Sequence, residues 1–288
     1  MTDATHTNPD LIERLQQLGD PGKRQDWIDG KRDYIAELGL NASDVPVLMD
    51  VMRSWLCEPG EGPVDIPEEP PAVYAPIHAW RALGQMRPAE AVPVTLGMLD
   101  RLDELLEDWA FEEFPFVWAM IGEPAVEPLA AYLANGRYRE HSRVCVAHGL
   151  CEIGRRNQAL RDAVVERLTE ALNRQETDVE SLNGFLVSYL LDLKAVESAE
   201  AIERAYADDC VDLTITGNWA KARAELGVEG LGLLSEEQAN RKPFALRMPR
   251  PVSLPGDLPG RRNRKDDRKH RRKQRKKERR NRRRGRHK

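Results

Sequence analysis

The sequence has few cysteines and nowhere pairs them. Cys57, Cys145, Cys151 and Cys210 are the four in 288 residues, and no two form a Cys-x-x-Cys. Zinc sites and disulfide frameworks need closer or more regular spacing. The thiols are therefore expected as reduced, small core hydrophobes, with Cys145 and Cys151 in one apolar helical stretch. Long apolar runs are missing too: none approaches the roughly 18 residues of a membrane-crossing helix. The first residues, Met1 to Asn8, lack the basic start and apolar stretch of a secretory signal, so a cytoplasmic location is expected. No segment alternates apolar and polar residues as a half-buried strand does. No nucleophile elbow, phosphate-binding loop, dinucleotide fingerprint or Cys-His couple occurs in a supporting context. Gly230-Leu-Gly232 is an isolated Gly-x-Gly and signals nothing. These absences leave no catalytic, cofactor-binding or metal-binding residue to nominate.

Charge is abundant, and its near-balance is deceptive. The formal net charge is −4, yet residues 261–288 hold 19 Lys or Arg against three acids, a net of +16. Residues 1–260 then hold 25 basic and 45 acidic side chains, a net of −20. An acidic body and a basic tail share one chain, an asymmetry typical of an interaction tail. The tail has no apolar residue from Arg261 to Lys288, so it has nothing to bury and is expected to be disordered. Before it, five prolines between Pro243 and Pro259 mark an extended linker.

Upstream the texture is helical. Leu11, Ile12, Leu15 and Leu18 share one face before Gly19, and Tyr34, Ile35 and Leu38 lead to Gly39. Ser43 is placed to cap a helix carrying Val47, Leu48, Val51, Met52 and Trp55. Residues 58–71, rich in Pro, Gly and acids, read as a long loop. Four later stretches repeat one another, ending at anchors Gly84, Gly122, Gly154 and Lys194, which stand 38, 32 and 40 residues apart. One place before the anchor come Leu83, Ile121, Ile153 and Leu193. Four before come Trp80, Trp118, Leu150 and Leu190, and eight before come Pro76, Phe114, Val146 and Leu186. Offsets of one, four and eight share a helix face, and glycine at the anchor suits a helix that must turn through positive φ. A second helix follows each anchor. A weaker copy at Ala36-Glu-Leu-Gly39 brings the series to about five helix pairs. The expected fold is all-α: an α-solenoid over residues 1–235, then the linker 236–260 and the tail 261–288.

Leu83-Gly84 followed by Ala89-Glu-Ala-Val-Pro93, and Ile121-Gly-Glu-Pro-Ala-Val-Glu-Pro-Leu129, resemble the short HEAT-like repeats of bacteria first associated with phycobilisome lyases. Residues 74–228, including Leu182-Asn-Gly-Phe185 and Asp212-Leu-Thr-Ile-Thr-Gly-Asn-Trp219, are similar to a group of bacterial HEAT-repeat proteins, some carrying a Cys-rich SEC-C zinc module. No cysteine follows Cys210, so that module is absent. The resemblance implies a fold far more than an activity. A chromophore-lyase-like enzyme is the alternative it brings, and it rests on fold alone.

Three constellations invite a functional reading. His78 and His148 both stand six places before an anchor, but Phe116 and Ser188 fill the same column elsewhere, which suits a packing position better than a ligand. Asp100, Asp103, Glu104, Glu107, Asp108, Glu112 and Glu113 crowd one stretch with Trp109, Phe111 and Phe114 among them. That stretch reads as a helix end and inter-repeat loop. It forms either a solvated acidic ridge or a protein-binding surface with aromatic anchors, in which Asp103, Glu104, Glu107, Asp108, Trp109, Glu112 and Glu113 take part.

The tail offers Arg261, Arg262, Arg264, Lys265, Arg268, Lys269, Arg271, Arg272, Lys273, Arg275, Lys276, Lys277, Arg279, Arg280, Arg282, Arg283, Arg284 and Arg286 to phosphate. It contains no aromatic to stack on bases, so RNA or ribosome binding without sequence preference is expected. Docking on the acidic body, or on an acidic protein, is the alternative, and a purely structural scaffold is the limiting case. The expected whole is a monomeric, non-enzymatic adaptor with an unidentified protein partner on the solenoid, nucleic acid on the tail, and no membrane.

Overall fold

The computed structural model describes residues 8–57, 61–67, 69–105, 108–174 and 180–241, and all regular structure among them is helical. These residues belong to one unit, Met1–Arg247. Local chemistry starts the helices. Asn8 accepts a bond from the Leu11 amide at the head of α1 (Pro9–Gln17), and Asp33 does the same for α3 (Tyr34–Leu38), which Gly39 closes at φ 58°. Between them lies the short α2 (Arg24–Ile28). Ahead of α4 (Val45–Arg53) the cap is Asn41, not Ser43. The Ser43 hydroxyl is already donated to Asn41 Oδ1 at 2.6 Å, and Asn41 and Asp44 form a capping box around a 3-10 turn that runs into the helix.

The helices that follow are α5 (Ala75–Met86), α6 (Ala91–Leu105), α7 (Asp108–Ile121), α8 (Glu123–Leu133), α9 (Glu140–Arg156), α10 (Arg161–Leu172), α11 (Glu180–Asp192), α12 (Ala199–Ala207), α13 (Leu213–Thr216) and α14 (Trp219–Leu226). Every second helix packs on the next but one. One series runs α5, α7, α9, α11, α13 and the other runs α4, α6, α8, α10, α12, α14. The repeat columns are the glue: Leu83, Ile121, Ile153 and Leu193, then Trp80, Trp118, Leu150 and Leu190, are all buried, as are Phe114, Val146 and Leu186. Each such side chain contributes about 1.5–3 kcal/mol by leaving water.

The anchor glycines behave differently from expectation. Gly122 does turn, at φ 82°, and Lys194 turns at φ 52° without glycine's help. Gly84 and Gly154 instead lie inside α5 and α9. A Cβ on Gly84 would come within 3.0 Å of the Trp27 ring, and one on Gly154 within 3.1 Å of Leu193, so close helix approach demands glycine there. Helix α5 ends at Met86, two residues after Gly84, and the next residue, Arg87, takes the left-handed conformation.

The N-terminal segment is bound to α5 by a buried polar network. Arg81 is fully buried, donating from Nε and Nη2 to the Glu113 carboxylate at 2.8 and 2.6 Å and from Nη1 to the Pro21 carbonyl. Trp80 Nε1 donates to the same carboxylate at 2.8 Å, and Trp27 Nε1 donates to the Arg81 carbonyl at 2.9 Å. Burial pulls the Arg81 pKa down, but the bonds to Glu113 outweigh it and hold the guanidinium above its ordinary value.

At the other end the folded region passes the expected boundary at residue 235. Ser235 and Gln238 form a capping box on α15 (Glu236–Ala239), which packs on α14. Ala239 is buried there, Arg223 pairs with Glu236, and Arg241 pairs with Asp209. A four-residue helix is too short to show a periodicity in the sequence.

Candidate functional site

The acidic stretch is not one surface. Residues 108–113 form the first turns of α7 rather than an inter-repeat loop. Glu113 is 2% exposed and belongs to the Arg81 network, so it is a core ion pair and not part of a ridge. Asp103 is partly buried, with His141 Nδ1 at 2.9 Å and Arg139 at 3.6 Å, while Glu104 pairs with Arg101 at 2.8 Å and Arg139 at 3.4 Å. Asp100 accepts from the Tyr132 hydroxyl at 3.1 Å. Glu112 faces Arg24, which donates to its carbonyl at 2.9 Å and approaches its carboxylate at 3.8 Å. Asp108 and Trp109 begin α7, with Trp109 39% exposed. Glu107 lies outside the described residues. The geometry therefore brings Asp103 and Glu104 together, through Arg139, and sends Glu112 and Glu113 to different surroundings.

His78 is a satisfied core histidine. With the proton on Nε2, its ring donates to the Gly19 carbonyl at 3.0 Å, and Nδ1 accepts from the Tyr34 hydroxyl at 2.8 Å. Burial lowers its pKa to about 4, which keeps it neutral. Its hydrogen bonds are structural, with both ring nitrogens engaged.

His148 shares that register and has other company. It stands half-buried on α9, edge-on to Phe116 of α7 at 5.8 Å between ring centroids and stacked on Tyr189 of α11 at 5.5 Å. Phe185, one turn earlier on α11, stacks on Tyr189 at 6.0 Å. Guanidinium carbons of Arg24 and Arg156 lie 5.3 and 5.6 Å from the Phe116 centroid. Glu152, one turn along α9, receives Arg155 at 2.7 Å and Arg156 at 3.4 Å and lies 3.8 Å from His148 Nε2. Burial lowers the His148 pKa, partly countered by Glu152.

A row of aromatic rings thus crosses three neighbouring helices, with Arg24 and Arg156 over Phe116 at one end. The chemistry on offer is recognition: flat faces, guanidinium N–H groups, and a Tyr189 hydroxyl with no hydrogen-bond partner among the described residues. The signal for it was present in the sequence. Phe116 and His148 occupy the column six before the anchor, and Tyr189 stands one place beyond Ser188, which fills that column in the next repeat. Read as a packing column, the position hid its half-exposed members.

No protein-family model, curated protein or solved structure matches the chain.

Cys145, Cys151 and Cys210 are buried and Cys57 is half-buried, all four as free thiols. Burial pushes the Cys151 thiol up to about 12. Among the described residues no group of three or more His, Cys, Asp or Glu side chains is placed to hold a metal ion, and no helix is long and apolar enough to cross a membrane. The basic residues nominated between Arg261 and Arg286 lie outside the described residues.

Proposed function

We propose that the protein is a non-enzymatic adaptor. A HEAT-like α-solenoid holds a protein partner, and the basic tail attaches the complex to RNA or the ribosome without sequence preference. The observation that carries this reading is the charge partition, −20 over residues 1–260 against +16 over residues 261–288. Packing of every second helix in two series, at the repeat spacing of the anchors, supports the solenoid and the resemblance to bacterial HEAT-like repeats. Arginine dominance supports phosphate as the tail's ligand, because a planar fork binds it bidentately and association releases counterions. On this reading the adaptor is monomeric and works in the cytoplasm.

The test is RNA attachment with and without residues 261–288. Fluorescence anisotropy with a labelled 20-nucleotide oligouridylate should show salt-sensitive binding by the full chain. The logarithm of affinity should fall with the logarithm of salt by roughly 0.7 per phosphate contact. The chain ending at residue 260 should lose that binding while keeping its helical circular dichroism. Undiminished binding after the deletion would remove the tail from the function.

A further inference from the structure

The geometry points to the aromatic row of α7, α9 and α11 as the docking surface for an acidic peptide of the partner protein, one carrying aromatic or aliphatic side chains between its carboxylates. This rests on the adaptor reading and gives its protein partner a place and a chemistry.

His78, Phe116 and His148 occupy one column, six places before the anchor, on α5, α7 and α9. On α5 the column is covered by the chain's own N-terminal segment. Gly19 and Tyr34 take both nitrogens of His78, the Pro21 carbonyl takes Arg81, and Trp27 and Tyr34 bury their rings against the helix. The first station of this face is therefore filled by a peptide that offers carbonyl acceptors and aromatic side chains. On α7 the same segment reaches Phe116 only through Arg24, and on α9 and α11 the corresponding side chains stay half-exposed. The rings are already held in place by one another, so a ligand would order little on binding.

Charge selects the occupant. Arg155 and Arg156 share a single carboxylate, Glu152, and their side chains are 55% and 36% exposed. Arg24 has its carboxylate contact only at 3.8 Å and lies 43% exposed. Three guanidinium groups thus share two carboxylates beside the apolar rings, which leaves N–H donors free for a further acceptor. Carboxylates of a peptide would meet Arg24, Arg155 and Arg156, while its apolar side chains lay against Phe116, Tyr189 and Phe185. Aromatic and arginine anchors are what dominate protein interfaces energetically. A nucleic-acid strand fits less well, because the rings of His148, Tyr189 and Phe185 stack on one another at 5.5 and 6.0 Å between centroids and leave no gap for a base to enter.

Photo-crosslinking to the full chain tests this. The probe is a 12-residue peptide alternating Glu with Phe and Leu and carrying one benzoylphenylalanine. A second peptide has Lys in place of Glu, and a 20-nucleotide oligouridylate serves as competitor. Adducts located by mass spectrometry should fall on α7, α9 and α11, and the Lys peptide should give none there. Arg156→Glu and Tyr189→Ala should each raise the half-saturating probe concentration about tenfold, which corresponds to about 1.4 kcal/mol. Arg156 is on the surface, so its reversal leaves the fold intact and decides the matter if Tyr189→Ala proves unstable by thermal melting. Adducts confined to residues 261–288, adducts on the row indifferent to Arg156→Glu, or their displacement by oligouridylate would overturn the assignment. Absence of adducts from the row, with RNA attachment still lost on deleting the tail, would overturn this inference alone. RNA attachment that survives the deletion would overturn the tail's role and leave the row's result standing.

Discussion

Replacing Glu113 by Ala should unsettle the fold far more than any other change in the acidic stretch. Its carboxylate accepts three bonds, from Trp80 Nε1 at 2.8 Å, Arg81 Nε at 2.8 Å and Arg81 Nη2 at 2.6 Å. Without it the fully buried guanidinium keeps no carboxylate, only the Pro21 carbonyl and the Tyr34 side chain, and the Trp80 N–H keeps no partner among the described residues. Removing one partner of a buried pair costs about 3–5 kcal/mol, against a total stability of about 5–15 kcal/mol for a folded domain. Such a loss lowers the melting temperature by roughly 2–4 °C per kcal/mol in a chain of this size. Most of that cost comes from stranding Arg81, which a double-mutant cycle can show. In an Arg81→Met background Glu113→Ala should cost about 1–3 kcal/mol less than in the parent. Urea titrations read by far-UV circular dichroism and by tryptophan fluorescence supply the four stabilities. Glu104→Ala is the comparator, since its pairs are with half-exposed arginines and surface changes of this kind stay within about 0.5 kcal/mol. A cost below about 1 kcal/mol for Glu113→Ala, with no coupling to Arg81, would refute the core assignment and return Glu113 to a solvated ridge.

Four further outcomes are expected. His78 has an ordinary value of 6.5 when unfolded and about 4 when folded, so between those pH values the unfolded chain binds a proton that the folded chain refuses. Stability should therefore be intact above pH 6.5 and fall by up to about 3 kcal/mol toward pH 4; urea midpoints across this window should show a gentler slope in His78→Gln, and an identical slope would contradict the assignment. Gly149→Ala would place a methyl 2.4 Å from the buried Trp118 ring and should cost about 1–3 kcal/mol in the same titrations. Gly97→Ala, in the exposed face of α6 with nothing within 4 Å, should instead gain about 0.5–1 kcal/mol. Ellman's reagent should modify Cys57 first in the native protein and reach Cys145, Cys151 and Cys210 only on unfolding, which peptide mapping would check.

Periodicity alone was enough to read the longer helices, the anchor columns and the burial of Trp80, Trp118, Leu150 and Leu190, because which helix face turns inward is a local property of the 3.6-residue turn. Composition likewise placed the division of charge between body and tail. What periodicity could not reach were relations between segments distant in the chain. Glu113 looks like its acidic neighbours until Arg81, 32 residues earlier, is found against it. Gly84 looks like a helix terminus until Trp27 is found where its side chain would be. His78 and His148 are equivalent in register, yet one is sealed by Gly19 and Tyr34 and the other stands in a half-exposed aromatic row. The α-helical pattern is written within each turn. Whether a given face is then covered depends on which other segment packs there, and that is decided only when the chain folds.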